Sequence, residues 1–575
     1  MKGLRGWKHC HRKTYNRGIP LLPAGGIGYE RLVQRPTPSW LSSAIFYEIY
    51  PQSFRDSNGD GIGDLPGVIE KLDYIRSLGC NAIWLNPCFE SPFGDAGYDI
   101  SDFYKVAARY GTNADLKRLF REAHKRGLKV CLDLVAGHTS TQHPWFQASA
   151  RPEKNKYTNW YIWTDNGWKG PGGNLTGIKG VYDRDGAFVT NFFAFQPALN
   201  YGFAHPDPAQ PWQLPVDHPD VQAVRREMMK IMKFWLEMGA DGFRVDMASS
   251  LVKGDTDYKE TTAFWHDVRA VYDRDYPEVV LIAEWSDPAL AIKAGFHVDF
   301  LIHFNSTAYT TLFRNEKRRD VFDTRTAAEY GHSFFDRSGQ GNIAEFLDVY
   351  LEHYKATREL GYISVPSGNH DLGRLATDRS TQELEVAFAF LMTLPGIPYI
   401  YMGDEIGMRQ IDLPSKEGGF GRTGARTPMQ WDSGKNAGFS SATAKKLYLP
   451  IDPAKNRPTV ARQDRDKKSL LNHVRRLADL RVKTPALCAG GAFEPVYAKA
   501  KKYPFVYRRS LGGEEILVAV NPSRQEVKVS FDAANLGDAI GCVMGRGAQL
   551  RMAKGRAHLE MQGISYGIFS PLPRS

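Results

Sequence analysis

From Trp40 onward, short runs of β-branched and aromatic residues alternate with longer stretches of helical period, the arrangement of successive βα units on a parallel sheet. Eight such runs stand in order: AIFYEIY (44–50), AIWLNP (82–87), KVCLDLV (129–135), GFRVDM (242–247), VVLIAEW (279–285), DFLIHF (299–304), YISVPSG (362–368) and IPYIYMG (397–403). Eight parallel strands joined by helices close on themselves, so the pattern predicts an α/β fold, a (β/α)8 TIM barrel. Between the runs, Val221, Val224, Met228, Ile231, Met232 and Trp235 share one face of a helix predicted over 218–238 and stopped by Gly239. Stretches 64–78, 113–127, 341–360, 380–394 and 468–483 repeat that period, each with its apolar side toward the barrel.

Two segments exceed a minimal barrel. After the third run, residues 139–205 are rich in Trp, Gly, Asn and Asp and carry no long periodic stretch. A connection of that length is usually functional, and it predicts an inserted lobe over the active face. From about residue 486, ILVAVNP (516–522), EVKVSFD (526–532) and AHLEMQG (557–563) alternate with period two, which predicts a C-terminal antiparallel β domain. The expected organisation is a leader (1–38), a barrel (39–138 and 206–485), an inserted domain (139–205) and a C-terminal β-sandwich (486–575).

Composition narrows the class. With 42% apolar, 24% charged and 12% aromatic residues the chain is globular, which excludes disordered, collagenous and coiled-coil proteins. The longest apolar stretch, 386–403, is interrupted by Thr393, Pro395 and Pro398, so no membrane-spanning helix is expected. Six cysteines lie far apart without CxxC spacing, which indicates neither a disulfide framework nor a zinc site. Of the net charge of +10, seven units fall in residues 1–38. This basic leader is expected to be disordered, and no basic-aromatic module follows it, so a nucleic-acid partner is not expected. It lacks the apolar core of a signal peptide, and the expectation is a cytoplasmic monomer. The sequons at Asn174 and Asn305 are short patterns that carry little weight against this.

In a barrel of this type catalytic groups stand where strands end. The third strand ends with Asp133 and His138, the fourth with Arg244 and Asp246, the fifth with Glu284, and the seventh with His370 and Asp371. Acidic residues are disfavoured inside strands, so those in GFRVDM and VVLIAEW require ion pairing or catalysis. Asp246 and Glu284 come from neighbouring strands, about 4.8 Å apart. That spacing admits the roughly 5–5.5 Å carboxyl separation of a retaining glycosidase, in which one carboxylate attacks the anomeric carbon and the other protonates the leaving oxygen. Arg244, two residues before Asp246, would keep that carboxylate ionised; the alternative is a purely structural Arg–Asp bridge.

The motifs DLVAGH (133–138), GFRVD (242–246), AEW (283–285) and NHD (369–371), in this order at strand ends, resemble glycoside hydrolase family 13, the α-amylase family. The segments FYEIYPQSF (46–54), DAGYDISDFY (95–104) and ARTPMQWD (425–432) are similar to its oligo-1,6-glucosidase and α-glucosidase group. The resemblance implies Asp246 as nucleophile, Glu284 as general acid/base and Asp371 as the carboxylate that stabilises the transition state. It further implies His138 and His370 as hydrogen-bond partners of the sugar, Tyr98 and Asp99 as its stacking and anchoring residues, and Arg374 and Arg426 as contacts to the next unit.

The loop DSNGDGIGD (56–64) supplies oxygen donors at alternate positions, as hard divalent cations require. It is not an EF-hand, since Gly67 stands where the bidentate Glu belongs. The resemblance implies calcium or magnesium there, held by Asp56, Asn58, Asp60, the Ile62 carbonyl and Asp64, with no organic cofactor. Three departures stand out. Gly137 replaces an Asn that in α-amylases helps ligate a calcium between barrel and lobe, Ala198 replaces the acidic residue of a QPDLN-like segment, and Met247 follows the nucleophile where relatives have Val, Ala or Thr. Linkage preference therefore does not follow from the sequence.

The expected activity is retaining cleavage of α-glucosidic bonds in short malto- or isomalto-oligosaccharides through a covalent glycosyl-enzyme. Transglycosylation or isomerisation, as in trehalose synthases, and endo-acting α-amylase activity use the same intermediate. A non-catalytic member of the fold, serving only for binding, is the reading from another class.

Overall fold

A computed structural model describes residues 35–302, 307–314, 331–533 and 540–571. The basic leader up to residue 34 and the sequon at Asn305 lie outside the described residues. The chain divides into Met1–Arg35 and Pro36–Ser575, and the fold below is that of the second unit.

Each of the eight runs contains a strand: β1 (Phe46–Ile49), β2 (Ala82–Leu85), β3 (Lys129–Val135), β4 (Gly242–Asp246), β5 (Val280–Ala283), β6 (Val298–Phe300), β7 (Tyr362–Ser364) and β8 (Tyr399–Tyr401). All pair in parallel in the order β7-β6-β5-β4-β3-β2-β1-β8. The strands are buried throughout or nearly so, as a barrel packed inside by side chains and outside by helices requires. β7 and β8 close the circle through single bonds rather than a ladder: Ile397 N donates to Ile363 O at 3.1 Å and Ser367 N to Tyr399 O at 2.9 Å.

The helices are α1 (Asn113–His124), α2 (Pro219–Met238), α3 (Lys259–Asp275), α4 (Ile343–Thr357), α5 (Thr381–Thr393) and α6 (Leu470–Lys483), and all but α3, which the pattern did not single out, match the apolar stripes. α2 ends at Gly239, whose φ of +122° suits glycine. The stretch predicted as one helix over 64–78 is two, Leu65–Glu70 and Leu72–Ser77, broken at Lys71, whose φ/ψ of −110°/7° leave the helical region. α5 is buried almost all round because β-structure covers its outer side. That cover is an antiparallel sheet of six strands, β9 (Ala492–Tyr497), β10 (Phe505–Leu511), β11 (Glu514–Asn521), β12 (Val527–Asp532), β13 (Ile540–Ala553) and β14 (Arg556–Pro571), in the order β9-β10-β11-β14-β12 with β13 also on β14. Its strands alternate between two cores: Tyr507, Val518 and Val520 join the barrel's, while Val506, Leu517 and Phe531 build a second. Arg509 donates to the carbonyl of Thr393 and Arg481 to those of Met392 and Leu394, taking up acceptors left at the end of α5, and Arg509 also reaches the Cys488 carbonyl ahead of the sheet.

The segment after β3 contains a short helix, Pro144–Ser149, and a two-stranded ladder, Gly177–Lys179 with Ala187–Val189. Aromatic packing holds it together, with Phe146 against Tyr161, Trp163, Tyr182 and Phe188. Bridges from His138 to Ala198 and from Phe203 to Lys253 fasten it to the barrel's loops. Among the described residues no helix is long and apolar enough to cross a membrane, and the five described cysteines are unpaired.

Candidate active site

The parallel register brings Asp133 opposite Arg244 and Val135 opposite Asp246, while Val245 pairs with Ala283. Glu284, the next residue, donates its backbone N–H to Val245 O at 3.0 Å and so arrives beside Asp246. The Arg244 guanidinium, only 1% exposed, is the hub. Its Nη1 reaches Asp133 Oδ1 at 2.9 Å and Asp246 Oδ1 at 3.0 Å, and its Nη2 reaches Glu284 Oε1 at 2.5 Å. Asp133 is held further by the Trp84 indole N–H (3.0 Å) and the Tyr98 hydroxyl (2.9 Å), both donating to Oδ2. Immediately after Asp246 the chain turns through Met247, at φ +44°, and its N–H donates to Glu284 Oε2 at 3.0 Å. Such a backbone in a non-glycine residue is costly and persists where surrounding bonds fix it.

Three buried carboxylates face one cation, so the charges do not balance. Burial, with the Glu284 carboxylate second, pushes Asp246 well above the usual carboxylate range, and burial raises Glu284 too, while Arg244 pulls both down. The two titrate as a unit that retains a proton more readily than free carboxyls.

Asp371 follows β7 on a turn in which Asn369 Oδ1 accepts from the N–H groups of Asp371 and Leu372, each at 2.8 Å. Its Oδ1 accepts from Arg422 Nη1 at 2.6 Å and Arg426 Nη2 at 2.9 Å. Arg426 also donates from Nε to His370 O at 2.8 Å. The His370 ring stacks on Tyr98 with centroids 5.3 Å apart; its Nε2 lies 2.7 Å from the Tyr98 hydroxyl and its Nδ1 2.9 Å from Glu48 Oε1. Burial drives His370 far below the ordinary histidine value and Glu48 well above that of a carboxylate, disfavouring the charged form of each.

A cavity of about 220 Å3 opens among these groups. Of the sequence candidates, Asp246, Glu284, Asp371, Tyr98 and His138 line it. Burial lowers His138 to about 3, so its ring is neutral. Arg244, His370 and Arg426 stand directly behind that lining. Asp99 turns away: its oxygens accept from Ser91 Oγ and from the backbone of Gly94 and Asp95, folding the loop that presents Asp95. Arg374 is also out of the cavity, over the Tyr401 ring and paired with Asp404 at 3.1 Å. Asp95 and Arg422 line the cavity without having been singled out; burial lifts Asp95 to about 6 against the pull of Arg422 and Arg426. Asp95 opens the DAGYD segment and Arg422 precedes Arg426 by one helical turn, the available sequence signals for both. Glu48 carried the same signal as Asp246, an acid inside an apolar strand.

The profile of the α-amylase catalytic domain matches residues 48–490. The chain belongs to the α-amylase family. It is accordingly a glycosidase. Among its relatives, the trehalose synthase/amylase TreS of Mycolicibacterium smegmatis is 33% identical over 521 residues, covering 84% of this chain and 83% of that one. The oligo-1,6-glucosidase of Parageobacillus thermoglucosidasius is 31% identical over 559 residues, covering 84% and 91%. The trehalulose synthase MutB from Pseudomonas mesoacidophila MX-45 superposes with a TM-score of 0.74 at 26% identity, covering 93% of this chain and all of that one.

This α-amylase-family chain departs from the pattern at Gly137 for a visible reason. A Cβ there would lie 2.7 Å from Asn191 Nδ2 and 3.1 Å from Ser250 Oγ. The space is filled by a network in which Lys253 Nζ donates to Asn191 Oδ1 (2.9 Å) in the lobe and Ser250 O (2.5 Å) after β4. Desolvation lowers this buried ammonium to about 8. A lysine thus joins lobe and barrel beside Gly137.

The loop 56–64 presents hard oxygen donors only, which suits calcium or magnesium in type. Its carboxylates are already engaged: Asp56 accepts from the N–H groups of Asn58, Gly59 and Gly61 and from Ser440 Oγ, and Asp64 from Gly67 N and Ser57. Among the described residues no three Asp, Glu, His or Cys side chains gather into a metal-holding group.

Proposed function

We propose that the protein is a retaining, exo-acting α-glucosidase that releases or transfers single glucosyl units from short α-glucosides. The supporting observation is that Asp246 and Glu284, from adjacent strand ends, share one guanidinium at a cavity of about 220 Å3. Ligand pockets usually span about 300–1,000 Å3, so this one suits a single sugar ring better than a bound chain. In this reading Asp246 attacks the anomeric carbon while Glu284 gives its proton to the leaving oxygen. Glu284 then takes a proton from water, which opens the glucosyl–Asp246 ester with overall retention. Asp371, paired with Arg422 and Arg426, faces the positive charge that builds on the ring, neutral His138 bonds the sugar and the Tyr98 ring stacks on it.

The TreS relative favours a second reading, isomerisation, in which the released sugar rather than water returns to the intermediate. Chromatography over time with maltose, isomaltose, sucrose, trehalose and soluble starch separates the two. Glucose from the short sugars with starch barely touched supports the glucosidase; trehalose from maltose supports isomerisation, and rapid cutting of starch supports an endo-acting enzyme.

We also propose a structural Ca2+ or Mg2+ at loop 56–64, held by Asp56, Asn58, Asp60, Asp64 and the Ile62 carbonyl. It would stiffen the loop and takes no part in the chemistry. Chelation is expected to lower the melting temperature, with recovery on adding either ion; an unchanged melting temperature counts against the ion.

A further inference from the structure

Between the N-terminal ends of α5 and α6 and the turn after β8 lies a second cavity, of about 420 Å3. Among the described residues none lines both it and the catalytic cavity. Its apolar lining includes the buried side chains of Leu384, Ile406 and Leu470. Its charged lining is cationic, with Arg379, Arg409, Arg462 and Lys468 against the single carboxylate of Asp466. The catalytic cavity has the opposite balance, Asp95, Asp246, Glu284 and Asp371 against Arg422.

Two of the four cations are partly engaged. Arg409 gives Nη2 to Asp452 at 2.8 Å, and Arg379 gives its terminal nitrogens to the carbonyls of Leu375 and Phe313, while its Nε is buried without a partner. The other two are free. The N–H groups of Arg462 and Lys468 bond to Thr459 Oγ1 and Asp466 Oδ1, but among the described residues their side chains make no hydrogen bond and pair with no carboxylate. α5 and α6, 13 and 14 residues long, start at the cavity with Thr381 and Leu470 in its lining, and each adds the positive end of its dipole. A hollow lined by one sign of charge focuses its field and concentrates the opposite ion. Free cations beside helix N-termini suit a phosphate group.

That group alone does not fill the space. Pockets for small organic molecules span about 300–1,000 Å3, several times the volume of a five-atom phosphate. The Thr381 hydroxyl and the Asn456 amide have no partner among the described residues, whereas Ser380 is spent on Glu383 and Gln463 on the Ile406 carbonyl and the Leu471 N–H. A hydroxyl and an amide, each able to donate and accept, suit the hydroxyls of a sugar. We infer that this cavity binds a sugar phosphate, with the phosphate on Arg462 and Lys468 and the sugar hydroxyls on Thr381 and Asn456. The site goes beyond the α-glucosidase reading and does not depend on it, since the acids of the catalytic cavity repel the same anion.

Isothermal titration calorimetry of the full chain at low ionic strength tests this with glucose 6-phosphate and, separately, inorganic phosphate. Glucose 6-phosphate should bind about tenfold more tightly than inorganic phosphate and lose affinity as salt is added. Replacing both free cations, Arg462→Gln with Lys468→Gln, should weaken it at least about tenfold. The swap that keeps both charges, Arg462→Lys with Lys468→Arg, should restore most of the affinity. Asp371→Asn, in the catalytic cavity, should leave Kd within about twofold. Neither free cation pairs with another side chain, so the double Gln variant should fold; its melting temperature without ligand checks this, and the charge-keeping swap controls for lost packing. No heat with glucose 6-phosphate, equal Kd for the two titrants, an unchanged Kd in the Gln variant, or a Kd shifted by Asp371→Asn overturns the proposal. No arm reads glycoside cleavage, so these results leave the glucosidase reading as it stands.

Discussion

Arg244 gives one nitrogen to Asp133 and Asp246 and the other to Glu284, so a single side chain holds both carboxylates to which the proposed mechanism gives the chemistry. Asp371 has a comparable arrangement, held by Arg422 and Arg426 at 2.6 and 2.9 Å. Hydrogen bonds to charged groups contribute about 1.5–3 kcal/mol, so Arg422→Ala should lower kcat/KM on maltose about 10- to 150-fold, with Arg426 as the remaining partner. Steady-state kinetics check this, and a loss under threefold would show that Arg426 alone suffices. Asp246 and Glu284 stood out as acids set into apolar strands, a signal that Glu48 shares without lining the cavity, while Asp371 was picked out through the resemblance carried by NHD (369–371). Arg422 was not singled out: it sits on a short 3-10 helix without an apolar stripe, and its spacing of four residues from Arg426 was the one available signal. Asp99 and Asp95 illustrate a further limit: four residues apart in one loop, they differ only in which way the turn points them, and hydrogen bonds from Ser91, Gly94 and Asp95 decide that.

At the scale of elements, the regular parts followed their periodicity and the irregular ones did not. β4 and α2 were evident because GFRVD and the Val221–Trp235 stripe are each half of a packing contact. The break at Lys71 and the internal ladder of the lobe left no mark, since the lobe is held by aromatic clusters and side chain to backbone bonds. Lys253 is the clearest example of such a bond, and Lys253→Met should cost about 1–3 kcal/mol by leaving the Asn191 and Ser250 oxygens unsatisfied. Urea unfolding measures the cost, and faster proteolytic cleavage within 139–205 localises it. The sign with pH follows from a folded value of about 8 against an ordinary 10.5. Between these values the unfolded chain binds a proton that the fold has released, so wild type gains stability as pH rises. The gap between wild type and Lys253→Met should therefore widen from pH 8 to pH 10; a constant gap would mean that the ammonium is not desolvated.

Over the whole molecule, eight parallel strands place Asp246, Glu284 and Asp371 at one end, a lobe inserted after β3 walls the cavity with Phe192, and the C-terminal sheet buries the outer side of α5. The Phe192 wall and the cover over α5 depend on packing that the pattern does not show, but the barrel, the lobe and the C-terminal sheet follow from the order of runs along the chain, eight of them being the number that closes. What distinguishes glucosidase from isomerase does not, because both use the same carboxylates and differ in access of water. In the proposed mechanism the common step is a covalent ester on Asp246, which would fix the configuration of the product. Proton NMR during the first minutes of maltose cleavage, before mutarotation, reads that configuration at the newly formed end. Double displacement through Asp246 predicts an initial excess of α-glucose over the mixture that maltose's own reducing end contributes, decaying with mutarotation; an initial excess of β-glucose over that mixture would contradict a covalent intermediate and the roles proposed for both Asp246 and Glu284.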